Sequence, residues 1–101
     1  MEQLKQTEWA DRIAASVWVL VDFSSPGCAP CRKMAPLIEA VIAEKKELDL
    51  KAYEVNVADQ PALAQAVGVW SVPTLVVFHE GRETTRFNGL PKMEKVLAQL
   101  G

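Results

Sequence analysis

The sequence predicts an α/β domain over residues 1–101, whose central mixed β-sheet of four to five strands is flanked by about four helices. Half of the 101 residues are hydrophobic, which suits one domain with one core. Apolar strand-like runs first alternate with segments of helical periodicity, and two strand-like runs then follow each other directly. The alternation indicates parallel strands with crossover helices, and the adjacent pair indicates an antiparallel hairpin.

The charge balance and the length of the apolar runs exclude two classes of partner. The formal net charge is -2, from 11 Lys and Arg against 13 Asp and Glu, without a basic cluster. We therefore expect no nucleic-acid partner. The apolar runs are far too short to cross a bilayer, and Met1 to Arg12 is polar and charged. We expect a cytoplasmic monomer that does not associate with membranes.

The first helix and the first predicted strand precede the two cysteines. Thr7 is predicted to cap a short amphipathic helix that carries Trp9 and Ile13 and ends near Ser16. The run from Trp18 to Phe23 lacks the alternation of a half-exposed strand. It is therefore predicted to be a central strand, covered by helices on both faces.

The second helix follows a turn at 24–27 and reaches about Lys46. Cys28 is predicted to lie at its N-terminus, and Pro36 is expected to bend its axis because proline removes one backbone donor. Four apolar residues recur at helical spacing along it: Leu37, Ile38, Val41 and Ile42.

The second strand of the parallel part is predicted at Leu50 to Val57. Asp59 and Pro61 then open a short helix, which Gly68 closes. Strand, helix and strand in this order imply a right-handed crossover.

The last part of the sequence predicts a hairpin and a final helix. Thr74 to Phe78 is a buried run, Glu80-Gly81 a tight turn, and Glu83 to Phe87 a polar strand suited to an exposed edge. Pro91 is predicted to start the last helix. Four apolar residues give it one buried face: Met93, Val96, Leu97 and Leu100.

Both cysteines lie in one CxxC motif, Cys28-Ala29-Pro30-Cys31. A disulfide across so short a loop stabilises a fold by only about 2 kcal/mol, so chemistry explains the spacing better. A helix N-terminus stabilises a thiolate, which makes Cys28 the expected nucleophile. Cys31 lies one turn further on and is the expected resolving thiol. Ala29 leaves the sulfur open, and Pro30 keeps the first turn helical.

The chain resembles the thioredoxin family from about residue 4 to residue 100. Four features fall at family spacing: Val21-Asp22-Phe23 before the cysteines, the CxxC motif followed by Arg32 and Pro36, Val72-Pro73-Thr74, and Gly89 before the last helix. The resemblance implies a thioredoxin fold. It also implies reduction of protein disulfides through a mixed disulfide, without a cofactor or metal, and a thioredoxin reductase as the electron donor.

The resemblance also implies roles for residues outside the CxxC motif. Asp22 matches a buried acid that takes a proton from the resolving cysteine, and burial raises the pKa of such an acid. Pro73 matches a proline after a cis peptide bond. The backbone of the preceding residue, Val72, is then expected to pair with extended substrate. Gly89 completes the expected substrate surface with Gly27, Ala29 and Pro30.

Two positions of the active-site motif depart from the usual Trp-Cys-Gly-Pro-Cys. Gly27 replaces the tryptophan and Ala29 the glycine, which leaves the substrate contacts and the redox potential open. Trp70 either replaces part of the missing aromatic surface or packs into the core. Trp9 and Trp18 are expected in the core or at its boundary.

Glu54 stands where some family members carry a lysine near the buried acid and others a glutamate. It either lies close to Asp22 or is a solvated residue at a strand end, and in the first case it would not lower the pKa of Asp22.

The sequence leaves three other interpretations of its function open. A CxxC motif is also half of a zinc or iron-sulfur site, but His79 is the only histidine, so four ligands would require a dimer that shares two cysteine pairs. We expect His79 to be a turn residue. A redox partner with a restricted client, or a binding module without turnover, would also fit the sequence.

Overall fold

The computed structural model describes all residues from Met1 to Gly101. A five-stranded mixed sheet has the order β1-β3-β2-β4-β5. The strands are β1 (Glu2–Gln3), β2 (Trp18–Ser24), β3 (Leu50–Asn56), β4 (Thr74–His79) and β5 (Arg82–Asn88). The α-helices are α1 (Trp9–Ala15), α2 (Met34–Glu44), α3 (Pro61–Val67) and α4 (Met93–Leu97), and two 3₁₀ turns cover Gln6–Glu8 and Pro30–Lys33. The predicted fold class is confirmed.

Strand β2 lies in the centre of the sheet, as its unbroken apolar run predicts. It pairs in parallel with β3 and antiparallel with β4. Its residues from Val19 to Ser24 are all buried. The parallel pair is joined by α2, which is the predicted crossover, and β4 and β5 form the predicted antiparallel hairpin.

The two faces of the sheet carry two separate cores, because successive residues of a strand point to opposite faces. Val19, Val21 and Phe23 of β2 belong to a cluster of 12 buried residues that includes side chains of α1 and α3. Leu20 belongs to a cluster of nine, to which α2 and α4 contribute. By the same alternation, Asp22 and Ser24 lie on the face that α2 covers.

The two ends of the chain differ from the prediction. Thr7 does not cap α1: it lies inside a 3₁₀ turn, and α1 begins only at Trp9, without a side-chain cap. The final helix begins at Met93 rather than at Pro91, since Lys92 is still extended, and it ends at Leu97. The short strand β1 was not predicted. None of the helices has the length and apolar character needed to cross a bilayer.

Candidate active site

Three chain segments meet at one end of the sheet. Strands β2 and β3 both end there, at Ser24 and Asn56, and the antiparallel β4 begins there at Thr74. The backbone N–H of Val57 donates to the carbonyl of Ser24 (2.9 Å) and holds the two strand ends together. The cysteine loop follows β2, and the Val72-Pro73 segment precedes β4. The topology therefore brings the two predicted site segments to this same end of the sheet.

Cys28 and Cys31 are joined by a disulfide, with their Cα atoms 5.2 Å apart. Cys28 is half-buried, whereas Cys31 is only 7% exposed. The backbone N–H of Cys31 donates to Cys28 Sγ (3.3 Å). An amide directed at this sulfur favours its thiolate over its thiol once the disulfide is reduced. Ala29 and Pro30 between the cysteines are exposed and leave the pair open to a partner.

The helix after the cysteines begins later than predicted. A 3₁₀ turn starts at Pro30, and the α-helix proper starts at Met34. Cys28 therefore precedes the first helical turn instead of beginning it, and Cys31 lies within that turn. Pro36 is the third residue of α2, where its missing N–H would have no partner inside the α-helix.

Gly27 has a backbone conformation that explains its residue type. Its φ of 76° lies in the left-handed region, and a Cβ built on it would meet no atom within 4 Å. Glycine adopts this conformation without the cost that other residues incur. The departure from the family motif therefore removes an aromatic side chain, and glycine allows the left-handed backbone conformation before Cys28.

Asp22 is completely buried, and neither of its carboxylate oxygens has a hydrogen-bond partner. Burial raises the pKa of Asp22 to about 7, and the negative charge of Glu54 adds to the rise. A buried carboxyl with such a pKa exchanges its proton near neutral pH, which is the property that a general base in this pH range needs.

Glu54 lies beside Asp22 and is not a solvated strand end. The two residues are register partners on β2 and β3. Ser24 Oγ donates to Glu54 Oε2 (3.1 Å), and the side-chain amide of Gln3 donates to Glu54 Oε1. Glu54 thus accepts from two donors next to an acid that lacks any donor.

The peptide bond between Val72 and Pro73 is cis, as the resemblance implies. Pro73 is buried and Val72 is half-buried. The segment is fixed on both sides: the N–H of Gly89 donates to the Pro73 carbonyl (2.8 Å), and Thr74 Oγ1 donates to the carbonyl of Ser71 (2.8 Å). Gly89 is thereby connected to the cis segment through its backbone.

Trp70 is 79% exposed, so the alternative that it packs into the core is wrong. It lines an apolar groove with Val57, Val69, Ser71 and Val72. An exposed tryptophan beside a groove is a feature of recognition surfaces, because such a ring contributes a large contact area.

The other two tryptophans lie where they were expected. Trp9 contacts the rings of Phe23 and Phe78 at centroid distances of 6.2 and 5.5 Å, at the edge of a core. Trp18 stacks on His79 at 4.0 Å. Because Trp18 is the first residue of β2, this stack lies at the end of the sheet opposite the cysteine loop. His79 is thus remote from the two sulfur atoms.

Sequence reasoning missed two parts of this site. Ser24 was predicted in the turn at 24–27, which is wrong, because it is the last residue of β2 and lies two residues after Asp22 on the same face. Gln3 had no usable signal, because β1 is only two exposed residues long and is recognised only from its pairing with β3.

Comparison with known proteins agrees with the geometry. The thioredoxin family profile matches residues 1–100. Thioredoxin from Porphyra purpurea is 43% identical over 75 residues, which cover 73% of this chain and 69% of that protein. Thioredoxin from Chlamydia muridarum is 34% identical over 94 residues, covering 93% and 89%.

The solved structures give the same result for the fold. A mutant thioredoxin from Halobacterium salinarum superposes with a TM-score of 0.86 at 32% identity, over 98% of this chain and 85% of that chain. Mitochondrial thioredoxin 3 from Saccharomyces cerevisiae, at 24% identity, shares the fold with a TM-score of 0.87 over 99% and 95%. The chain belongs to the thioredoxin family and is a thiol-disulfide oxidoreductase, a protein-disulfide reductase whose redox pair is Cys28 and Cys31.

Proposed function

We propose that Cys28 is the attacking thiol and Cys31 the resolving thiol. The Cys28 thiolate attacks one sulfur of a client disulfide, forms a mixed disulfide and releases the first client thiolate. Cys31, after losing its proton, attacks Cys28 Sγ and releases the second client thiolate. Both client thiolates then take up protons. The client gains two electrons, and the protein ends with the Cys28–Cys31 disulfide. The greater exposure of Cys28 and the burial of Cys31 support this division.

Asp22 is the group that takes the proton from Cys31 in this scheme, directly or through a water molecule. It lies on the sheet face that α2 covers, and α2 directly follows the 3₁₀ turn that carries Cys31. A carboxyl with a pKa of about 7 is well matched to accept a proton at neutral pH and to lose it again.

The client is bound by the surface around the cysteines. The backbone of Val72 pairs with an extended client segment, and Trp70 with its groove receives an apolar client side chain. The exposed residues Gly27, Ala29 and Pro30 complete the surface, together with the half-buried Gly89 and the buried Pro73. The absence of a bulky side chain at Gly27 and the exposure of Trp70 support a client set that differs from that of relatives with the usual motif.

The proposal also includes the electron donor, the substrates, the oligomeric state and the compartment. A thioredoxin reductase supplies the electrons that restore the dithiol, and the substrates are proteins that contain disulfides. The chain acts as a monomer and as one domain over residues 1–101, in the cytoplasm, without a metal or a resident cofactor.

Two assays test the chemistry. Insulin reduction with dithiothreitol separates a catalyst from a binding module, and coupling to NADPH and thioredoxin reductase tests the electron donor. We expect turnover in both assays for the wild type and none for Cys28→Ser. Turnover with dithiothreitol but not with NADPH and thioredoxin reductase would contradict the proposed electron donor. It would still support thiol-disulfide exchange by the cysteine pair.

Trapping tests the division between the two cysteines and identifies clients. Cys31→Ser should accumulate mixed disulfides through Cys28, whereas Cys28→Ser should accumulate none. A single dominant partner would support the second candidate function, a reductant dedicated to one client, which the changed motif at Gly27 and Ala29 favours. Equal trapping by both variants would contradict the assignment of the nucleophile.

A further inference from the structure

The side chain of Arg86, on β5, reaches across to the end of helix α3. Its Nη2 donates to the carbonyl of Val67 (2.8 Å), and its Nη1 donates to the carbonyl of Gly68 (3.0 Å). Val67 is the last residue of α3, and Gly68 is its cap. Carbonyls at the C-terminal end of a helix lack partners within the helix, and a positive charge there is favourable. One guanidinium group satisfies two of them.

A second interaction fixes the orientation of this guanidinium group. Arg86 Nε donates to Glu83 Oε2 (2.6 Å), and Nη2 donates to Glu83 Oε1 (2.7 Å). This is the two-pronged pairing that planar guanidinium and carboxylate groups form, and it is more rigid than a single ion pair. Both residues belong to β5, so the strand holds the ion pair in place. The remaining N–H groups of the guanidinium group are directed at the C-terminal end of α3.

The chain segment held in this way leads directly to Trp70. Gly68 has a φ of 78°, and its N–H donates to the carbonyl of Gln65 (3.1 Å). The N–H of Val69 donates to the carbonyl of Ala64 (2.9 Å), and Val69 is buried. The next residue, Trp70, has no hydrogen bond that fixes its exposed side chain. The position of Trp70 therefore depends on the backbone on both sides of it: the turn at Gly68 before it, and Ser71 after it, whose carbonyl accepts from Thr74 Oγ1.

We propose that Arg86 and Glu83 form a clamp that positions the Trp70 segment for binding protein clients. Arg86 does not touch the client in this arrangement; it is a positioning residue that acts through the carbonyls of Val67 and Gly68. The inference rests on the proposed client contact of Trp70. A segment ordered before binding loses less entropy when the client docks, so the clamp lowers the KM for protein disulfides.

The test compares Arg86→Met with Arg82→Met in the insulin assay and with a small aromatic disulfide, dithiobis(nitrobenzoate). Arg82 is exposed on the same strand and makes no side-chain hydrogen bond, so its variant is the matched control. For Arg86→Met we expect a KM for insulin that is higher by about five- to tenfold, with kcat nearly unchanged. The rate with the small disulfide should stay within about twofold, because that substrate does not need the Trp70 segment. Equal loss with both substrates, or no change with insulin, would overturn the clamp.

Two milder variants keep the test informative if Arg86→Met folds poorly. Arg86→Lys keeps the positive charge but loses the planar guanidinium group that pairs with two acceptors at once. Glu83→Gln keeps the contacts of Arg86 with the two carbonyls but weakens the pairing that orients the guanidinium group. Both should raise the KM for insulin by less than Arg86→Met does. Amide hydrogen exchange at Val69 should become faster in the same order as the KM rises. A KM that changes without faster exchange would overturn the positioning role.

Trp70→Ala separates this inference from the client contact on which it rests. If Trp70→Ala raises the KM for insulin and Arg86→Met does not, the positioning role of Arg86 is wrong, whereas the client contact of Trp70 is supported. If Trp70→Ala leaves insulin reduction unchanged, the client contact itself fails, whatever Arg86 does. Val17→Ala is the control for Trp70→Ala, since Val17 is an exposed apolar residue at the opposite end of the sheet.

Discussion

Asp22 and Glu54 face each other across the parallel pair β2 and β3, as direct register partners. Their side chains lie on the same face of the sheet, the one that α2 covers. Asp22 is buried without any hydrogen bond, whereas Glu54 is half-buried and accepts hydrogen bonds from Ser24 and Gln3. The protein thus places a hydrogen-bonded carboxylate beside a buried acid that has no donor. The negative charge of Glu54 favours the protonated form of Asp22 and adds to the effect of burial.

Removal of the Glu54 charge should lower the pKa of Asp22. Burial is the larger cause of the raised pKa and Glu54 the smaller one, so Glu54→Gln should bring the value below about 7 but leave it above the ordinary 3.8. The side-chain oxygen of glutamine can still accept from Ser24. The measurement is the pH dependence of the Asp22 carboxyl carbon shift by NMR. Glu47→Gln, an exposed change in the loop before β3, is the control, and an unchanged pKa in Glu54→Gln would contradict the coupling.

The stability of the oxidised protein should fall as the pH rises from about 4 to about 7. The pKa of Asp22 is about 7 in the folded protein and ordinarily 3.8, so in this range the folded state binds the proton that the unfolded state has released. The free energy of unfolding then declines by about 1.4 kcal/mol per pH unit, about 4 kcal/mol in all.

Asp22→Asn is the control that isolates this contribution. It should show no such decline, so that the difference in unfolding free energy between variant and wild type grows with pH and levels off above about pH 7. Urea denaturation at a series of pH values measures it. Parallel curves for the two proteins would show that Asp22 does not titrate in this range.

Alkylation of the reduced protein should modify Cys28 before Cys31. Cys28 is the more exposed residue, and its sulfur accepts the N–H of Cys31, which favours the reactive thiolate. Mass spectrometry after short exposure to iodoacetamide, repeated across a pH series, gives the order and the apparent pKa of each thiol. Faster modification of Cys31 would reverse the assigned roles.

Replacement of Gly27 should test its backbone conformation separately from its surface. Gly27→Ala should lower the free energy of unfolding by about 1 kcal/mol, because alanine is strained at positive φ and the site has no neighbour within 4 Å to clash with a Cβ. Gly27→Asn should lose less, since asparagine tolerates the left-handed region better. Thermal or urea unfolding measures both. A larger loss for asparagine would mean that contacts, not the backbone, determine the residue at this position.

The elements with a strong local pattern were predictable from the sequence. The buried run of β2, the cap of α3 at Gly68 and the turn at Glu80-Gly81 each depend on residues close together in the chain. The cis bond before Pro73 was inferred from family resemblance and not from local physics. The prediction that Thr7 caps α1 was wrong. A threonine before an apolar helical pattern does not indicate whether a 3₁₀ turn precedes the α-helix, as it does here.

Features that depend on contacts between distant segments could not be predicted. Strand β1 exists only through its pairing with β3, and its two exposed polar residues carry no apolar pattern. Arg86 contacts carbonyls 18 and 19 residues earlier in the chain, for which no residue spacing is diagnostic. The two readings of Glu54 and of Trp70 were decided only by their surroundings in the folded protein.

The hairpin turn at Glu80-Gly81 has a practical consequence. It adjoins the beginning of β2, where Trp18 pairs with His79, whereas the cysteine loop follows the end of that strand. A seven-residue strand is about 20 Å long, so this distance separates the turn from the redox face. A fluorophore, an affinity handle or a surface linkage attached at the turn would leave clients free to approach the cysteines, which makes this position suitable for immobilising the trapping variant.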